Sequence, residues 1–203
     1  MASYAKKKAH AKQSGKYGSE TEEAEIDNSK THVGFWKSGS PFSNWHSAKY
    51  QYEGHTFANS EQGMMWSKAV LFGDKEMENQ ILETSDPKSV KAFGSKVKGF
   101  SEKIWKKHRC DIMYKHCYAK FSQNDKLKKH LYNTGTKILV EASPYDKIWG
   151  IGMLWNEARY VDSKKWKGLN LLGKTLTSVR EKLREEDAKK DTGMSYFDHR
   201  ALY

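Results

Sequence analysis

The sequence predicts an α+β fold: a predominantly helical single domain with a small β component. Three observations carry this. Segments at 59–72, 86–97, 101–121 and 170–183 open on capping residues and continue with apolar positions at helical spacing. Extended patterns are confined to "KYQYEGHTF" and "KILVEA". With 203 residues, 37% hydrophobic and 30% charged, the chain suffices for one substantial domain, or a domain with tails.

Residues 1–33 read as a charged N-terminal tail, with lysines at 6–8 and then the acidic "ETEEAEID". The body opens with "GFWKSGSPFSNWHSAKYQYEGHTFANS", where Phe35, Trp36, Phe42 and Trp45 alternate with turn residues. "KYQYEGHTF" forms a hairpin around Glu53-Gly54. Asn59 then caps a helix that runs to about Phe72, with Gln62 completing a capping-box variant. Asp86 caps the next, with Pro87 in its first turn and Val90, Phe93 and Val97 as its apolar stripe.

A long helix starts at Ser101 and passes through Phe121. "KILVEA" is a short buried strand or a helix end. Asn170 caps a last helix whose core face is Leu172, Leu176, Val179 and Leu183. The domain ends near 183, and residues 184–203 read as a charged C-terminal tail whose Tyr196, Phe197, Leu202 and Tyr203 are able to dock.

The net charge of +11 is not spread evenly. Residues 34–180 hold 25 basic against 14 acidic side chains, which accounts for all of it. A basic body, unlike a basic tail, suits an anionic ligand or nucleic acid meeting a structured surface; a merely lysine-rich surface reads alike. No apolar run approaches a membrane span, and the N-terminus lacks a secretory signal, so a cytoplasmic protein without a membrane partner is expected. Cys110 and Cys117 lie two helical turns apart, about 10 Å, too far for a disulfide. Without CxxC or HExxH, no metal site is expected.

Chemistry concentrates in three places. Glu61, Met65, Lys68 and Phe72 share one face of the first helix, and a half-buried acid there needs a partner or a job. A plain capping-region acid and a snorkelling amine fit as well. Trp105 and Arg109 share a face of the long helix, either as a stacking platform beside a phosphate clamp or as core and surface. Lys120, where that helix ends, suits dipole compensation. In "SPYDKIWGIG" (143–152), Asp146 precedes Trp149 by three residues and Gly150 and Gly152 follow it. That places a ring for a planar ligand and a carboxylate for its sugar on one loop, with backbone approaching closely. Two acids and two indoles around a basic cleft suit glycosidic cleavage at a nucleotide, whose transition state is oxocarbenium-like.

These residues, in this order, resemble the NADAR (YbiA-like) family from about Phe35 to Leu183. The matching stretches are "PFSNW", "YEGHTFANSEQGMMWSKA", "IWKKHRCDIM", "AKFSQN", "LYNTGTKILVEASPYDKIWGIG" and "GLNLLGKTLTSVR". The resemblance implies a mostly helical α+β fold and an N-glycosidase that needs no cofactor. Activities known in the family are hydrolysis of phosphoribosylamino-pyrimidine intermediates of riboflavin synthesis and removal of ADP-ribose from guanine, including that of ADP-ribosylated DNA.

The family's functional residues fall on Glu61, Trp105, Asp146 and Trp149. Lys68, Arg109, Lys120, Asn170 and Arg180 lie on motif positions that bind phosphate or order the site, and Asn44, Gly150 and Gly152 also lie within the motifs, placed against substrate. Two departures stand out: Gln62 where many members carry His, and Ile151 where many carry an acid. A non-catalytic NAD or ADP-ribose-binding module is the alternative, and a plain nucleic-acid-binding protein ranks behind it.

Overall fold

Four side-chain caps set the helical frame in the computed structural model, which describes residues 26–197. Asn59 accepts the Gln62 N–H at 3.0 Å and starts α1 (Ser60–Phe72). Asp74 starts α2 (Lys75–Glu83) through the Met77 N–H. Asp86 starts α3 (Pro87–Ser95) through the Ser89 N–H, and Ser101 starts α4 (Glu102–Ser122) through the Ile104 N–H. Each cap satisfies a helix N–H that would otherwise lack a partner. Two short helices, α5 (Asp125–Tyr132) and α6 (Trp155–Ala158), and the long α7 (Leu171–Phe197) complete the set.

Strands are few. β2 (Tyr50–Tyr52) and β3 (His55–Phe57) form the expected hairpin, with Glu53 and Gly54 both at positive φ (48° and 79°), as a two-residue type I′ turn requires. β1 (His32–Phe35) pairs in parallel with β4 (Ile138–Glu141), Phe35 standing opposite Glu141. "KILVEA" is therefore a strand, with Leu139 and Val140 buried as its parallel pairing demands.

The core lies between α1, α4 and α7, where Phe57, Met113, Phe121, Leu172, Leu176 and Val179 are out of solvent. His116 is buried with them, hydrogen-bonded to Tyr50 (2.9 Å) and Ser67 (2.7 Å), and burial pushes its pKa down to about 3. It is a neutral core histidine. Gly63 leaves room for it, since a Cβ there would overlap both the His116 ring and the Tyr50 hydroxyl. Gly63→Ala is expected to cost about 2–3 kcal/mol by overpacking, read as a lower urea midpoint at unchanged slope.

Three boundaries differ from those read in the sequence. Residues 26–33 belong to the fold: Asp27 pairs with Arg159, Asn28 bonds the Ala158 and Val161 carbonyls, and β1 begins at His32. Residues 184–197 continue α7 instead of forming a tail. Polar bonds hold this part, with Tyr118 donating to Glu186 at 2.7 Å and Lys128 paired with Asp187 at 2.6 Å. A charged segment looked solvated because its packing partners are tyrosines and a lysine, not aliphatic residues. Third, Asn170 does not cap α7 with its side chain, which bridges β4 instead. Residues 1–25 of the N-terminal segment and 198–203 of the C-terminal one, with Leu202 and Tyr203, lie outside the described residues.

Cys110 is exposed, Cys117 is buried, and both are free thiols. Among the described residues no helix is long and apolar enough to cross a membrane, and no group of three or more His, Cys, Asp or Glu side chains is arranged to hold a metal ion.

Candidate active site

Three pieces of chain converge because of the parallel pair. The loops after β1 and after β4 leave from the same, carboxyl, end of the two strands. The N-terminus of α1 meets them there, since the Glu61 N–H donates to the Asn44 carbonyl at 3.2 Å. Between them is a cavity of 740 Å³, the size of a small-molecule site. Glu61, Glu141 and Asp146 bring carboxylates to it. Trp36, Trp45, Tyr145 and Trp149 bring rings, and Lys37, Lys68 and Lys91 bring charge.

Glu61 sits in the first turn of α1 and is 5% exposed. Burial pushes its pKa up to about 7, against the pull of Lys91 and the Trp45 side chain, with Asp146 adding to the rise. Glu141, at the end of β4, is raised to about 8 by burial and by the charges of Asp146 and Glu61. Its Oε2 is buried with no hydrogen-bond partner among the described residues. Since the charge of Glu61 is among those that raise Glu141, the two carboxyls titrate as a pair.

The "SPYDKIWGIG" loop explains its own spacing. Asp146 Oδ1 accepts the N–H groups of both Ile148 and Trp149 at 2.8 Å, so the acid folds the turn that presents the indole to the cavity. Gly150 lies under that turn, where a Cβ would come within 2.8 Å of the Asp146 and Glu141 carbonyls. Gly152 closes the turn at φ 66°, its N–H donating to the Asp146 carbonyl. These glycines shape the loop; neither is on the cavity wall.

The other residues singled out from the sequence divide. Asn44 and Lys68 line the cavity. Lys68 donates to the Gly94 carbonyl at 2.7 Å, lies over Phe100 and Trp105, and has its pKa lowered by burial. Trp105, Arg109, Lys120, Asn170 and Arg180 are not brought to the wall. Trp105 is 9% exposed in the core, its ring 5.6 Å from the Lys68 ammonium. Arg109 is buried on the same face of α4, its Nε without a hydrogen bond among the described residues.

Lys120 is fully buried, its pKa pushed down to about 8, and donates to the Ser43 carbonyl at 3.0 Å. It pins the "PFSNW" loop from behind. Asn170, at φ 54°, accepts the Glu141 N–H and donates to the Leu139 carbonyl. Arg180 is 1% exposed and bonded to Thr134, the Lys137 carbonyl and Glu181. Gln62 likewise serves the fold, reaching the Ala58 N–H and the Ile81 and Thr84 carbonyls.

The sequence reading missed Glu141, Lys37, Lys91, Trp45, Trp36 and Tyr145 as site residues. Only Glu141 left a signal, a carboxylate ending an apolar run just ahead of the Asp146 loop.

A NADAR domain matches residues 34–184. The chain belongs to the NADAR family. N-glycosidase R617 of Acanthamoeba polyphaga mimivirus is 44% identical, over 69% of this chain and 85% of its own. The solution structure of E. coli YbiA superposes with a TM-score of 0.64 at 27% identity, over 78% of this chain and 88% of that one. The chloroplastic riboflavin biosynthesis protein PYRR of Zea mays is 27% identical over 68% of this chain but only 20% of its own length. The α+β fold is thus that of the NADAR domain, and the chain is a hydrolase acting on N-glycosyl bonds.

Proposed function

We propose that the NADAR domain hydrolyses the ribosyl–base bond of a phosphorylated conjugate, either an ADP-ribosylated guanine, free or in DNA, or a phosphoribosylamino-pyrimidine. One observation carries this reading. Glu61 and Trp149, nearly ninety residues apart, face a single nucleoside-sized cavity with three lysines on its wall. Trp149 stacks the base, and Asp146 holds the ribose hydroxyls. Glu61 takes a proton from the attacking water and stabilises positive charge at the anomeric carbon. Lys37, Lys68 and Lys91 meet phosphate.

The name of the maize relative favours the pyrimidine conjugate, and the excess of basic residues favours nucleic acid. Incubating the purified protein with each conjugate and following the released ADP-ribose or pyrimidine by mass spectrometry decides between them. Tight ADP-ribose binding with no release from either conjugate makes the protein a binding module. Trp149→Ala is expected to raise KM about 10-fold with a smaller change in kcat, because a base–indole stack contributes about 1–3 kcal/mol. Steady-state kinetics on the preferred conjugate checks it.

A further inference from the structure

Hydrolysis of an N-glycosyl bond needs two proton transfers, one from water and one to the departing nitrogen. Glu61 accounts for the first. We propose that Glu141 is the general acid, holding a proton on its carboxyl and delivering it to the nitrogen of the leaving base; this rests on the N-glycosidase reading above. As the C1′–N bond breaks, its electron pair goes to nitrogen, which takes the proton of Glu141. Water oxygen bonds C1′ and gives a proton to Glu61. Transfer of that proton from Glu61 to Glu141 resets the pair, so the sum is conjugate plus water giving the unmodified base or nucleoside, its nitrogen protonated, plus a ribose with a C1′ hydroxyl.

Geometry assigns the two roles. Glu61 lies at the positive end of α1, beside Lys91 and the Trp45 side chain, all of which favour its ionised form. Glu141 ends a strand, its Oε2 is buried without a partner, and the pull of Lys91 on it is opposed by the charges of both Asp146 and Glu61, a setting that favours the neutral acid. The main chain that carries it is held on both sides: the Asn170 side-chain oxygen accepts its N–H at 3.0 Å, and its carbonyl accepts the Ile151 N–H at 2.9 Å. Asn170 is a positioning residue for this acid.

Titratable groups face Glu141 from every side. They are Glu61 from α1, Lys91 from α3, Cys117 from α4 and Asp146 from the following loop, with Lys37, Lys68 and Tyr145 on the shared cavity. The Cys117 thiol, pushed up to about 12 by burial, stays neutral. Raised values near 7 and 8 leave the pair one proton around neutrality.

The test is the pH profile of leaving-group release, guanosine from ADP-ribosylated guanosine and the pyrimidine from a phosphoribosylamino-pyrimidine. Wild-type kcat is expected to rise through about pH 7 and fall above about pH 8. Glu141→Gln is expected to lose about 100-fold or more in kcat and to lack the alkaline fall. A folded Glu141→Gln within about threefold of wild type, with the alkaline fall intact, overturns the acid and leaves the N-glycosidase standing. So does a wild-type kcat that stays flat from pH 7 to 9.5, a measurement that needs no variant. Absence of base release from wild type on both conjugates overturns the underlying function and the acid with it.

Discussion

Replacing Glu61 with glutamine is expected to slow base release by about 10²–10⁴-fold while making the protein more stable at pH 8. The two effects have one origin. Glu61 is buried, and burial holds its pKa near 7 where an exposed glutamate has 4.5. Between those values the folded state binds a proton that the unfolded state has released. Stability therefore falls as pH rises from about 4.5 to 7, and the penalty is fully present above 7. The difference corresponds to roughly 3 kcal/mol.

Glutamine keeps the shape and removes the ionisation, so thermal unfolding is expected at higher temperature than wild type at pH 8 and at nearly the same temperature at pH 4.5. Hydrolysis unchanged in a folded Glu61→Gln protein removes Glu61 from the chemistry. Equal melting temperatures at both pH values remove the electrostatic account of its environment. Loss of activity with gain of stability is the signature of a group kept for function at the expense of the fold.

The helical frame was legible because its signals are local. Asn59, Asp86 and Ser101 each accept an N–H three residues on, and Leu172, Leu176, Val179 and Leu183 recur at helical spacing and are all buried. A cap or a stripe is complete within one segment. The pairing of β1 with β4 is not, since it joins residues more than a hundred positions apart and leaves no mark in either strand. Yet that pairing places Glu141 beside the loop after Phe35 and so brings Trp36 and Lys37 to the site. Neither Glu141 nor Lys91 was singled out from the sequence, because what brings each to the cavity is a neighbour from another element.

Asp146 and Trp149 were legible as a unit for the opposite reason, since a single turn holds both. The motif residues that turned out to support the site from behind, Lys120 and Asn170, look identical in sequence to residues that touch a ligand. Only burial and hydrogen-bond partners separate the two kinds.

Arg180 makes that separation measurable. It falls within the NADAR match and carries the charge a phosphate needs, yet its guanidinium is already engaged. One nitrogen donates to Thr134 Oγ1 at 2.7 Å and to the Lys137 carbonyl at 2.6 Å, and Nε and the other terminal nitrogen reach Glu181 at 2.8 Å. These bonds clamp α7 to the turn that launches β4, the strand that ends in Glu141. Arg180→Ala empties a buried guanidinium site and strips a partner from the buried Thr134 hydroxyl and the part-buried Lys137 carbonyl, while the half-exposed Glu181 turns to water, which costs about 3 kcal/mol and about 10 °C in melting temperature for a domain of this size. Lysine at 180 keeps the charge without the planar fork and is expected to recover less than half of the loss. At a temperature where the variants are folded, KM for the conjugate is expected within about threefold of wild type. A phosphate contact predicts the reverse, an unchanged melting temperature with KM raised tenfold or more, and that result would move Arg180 from the scaffold to the ligand.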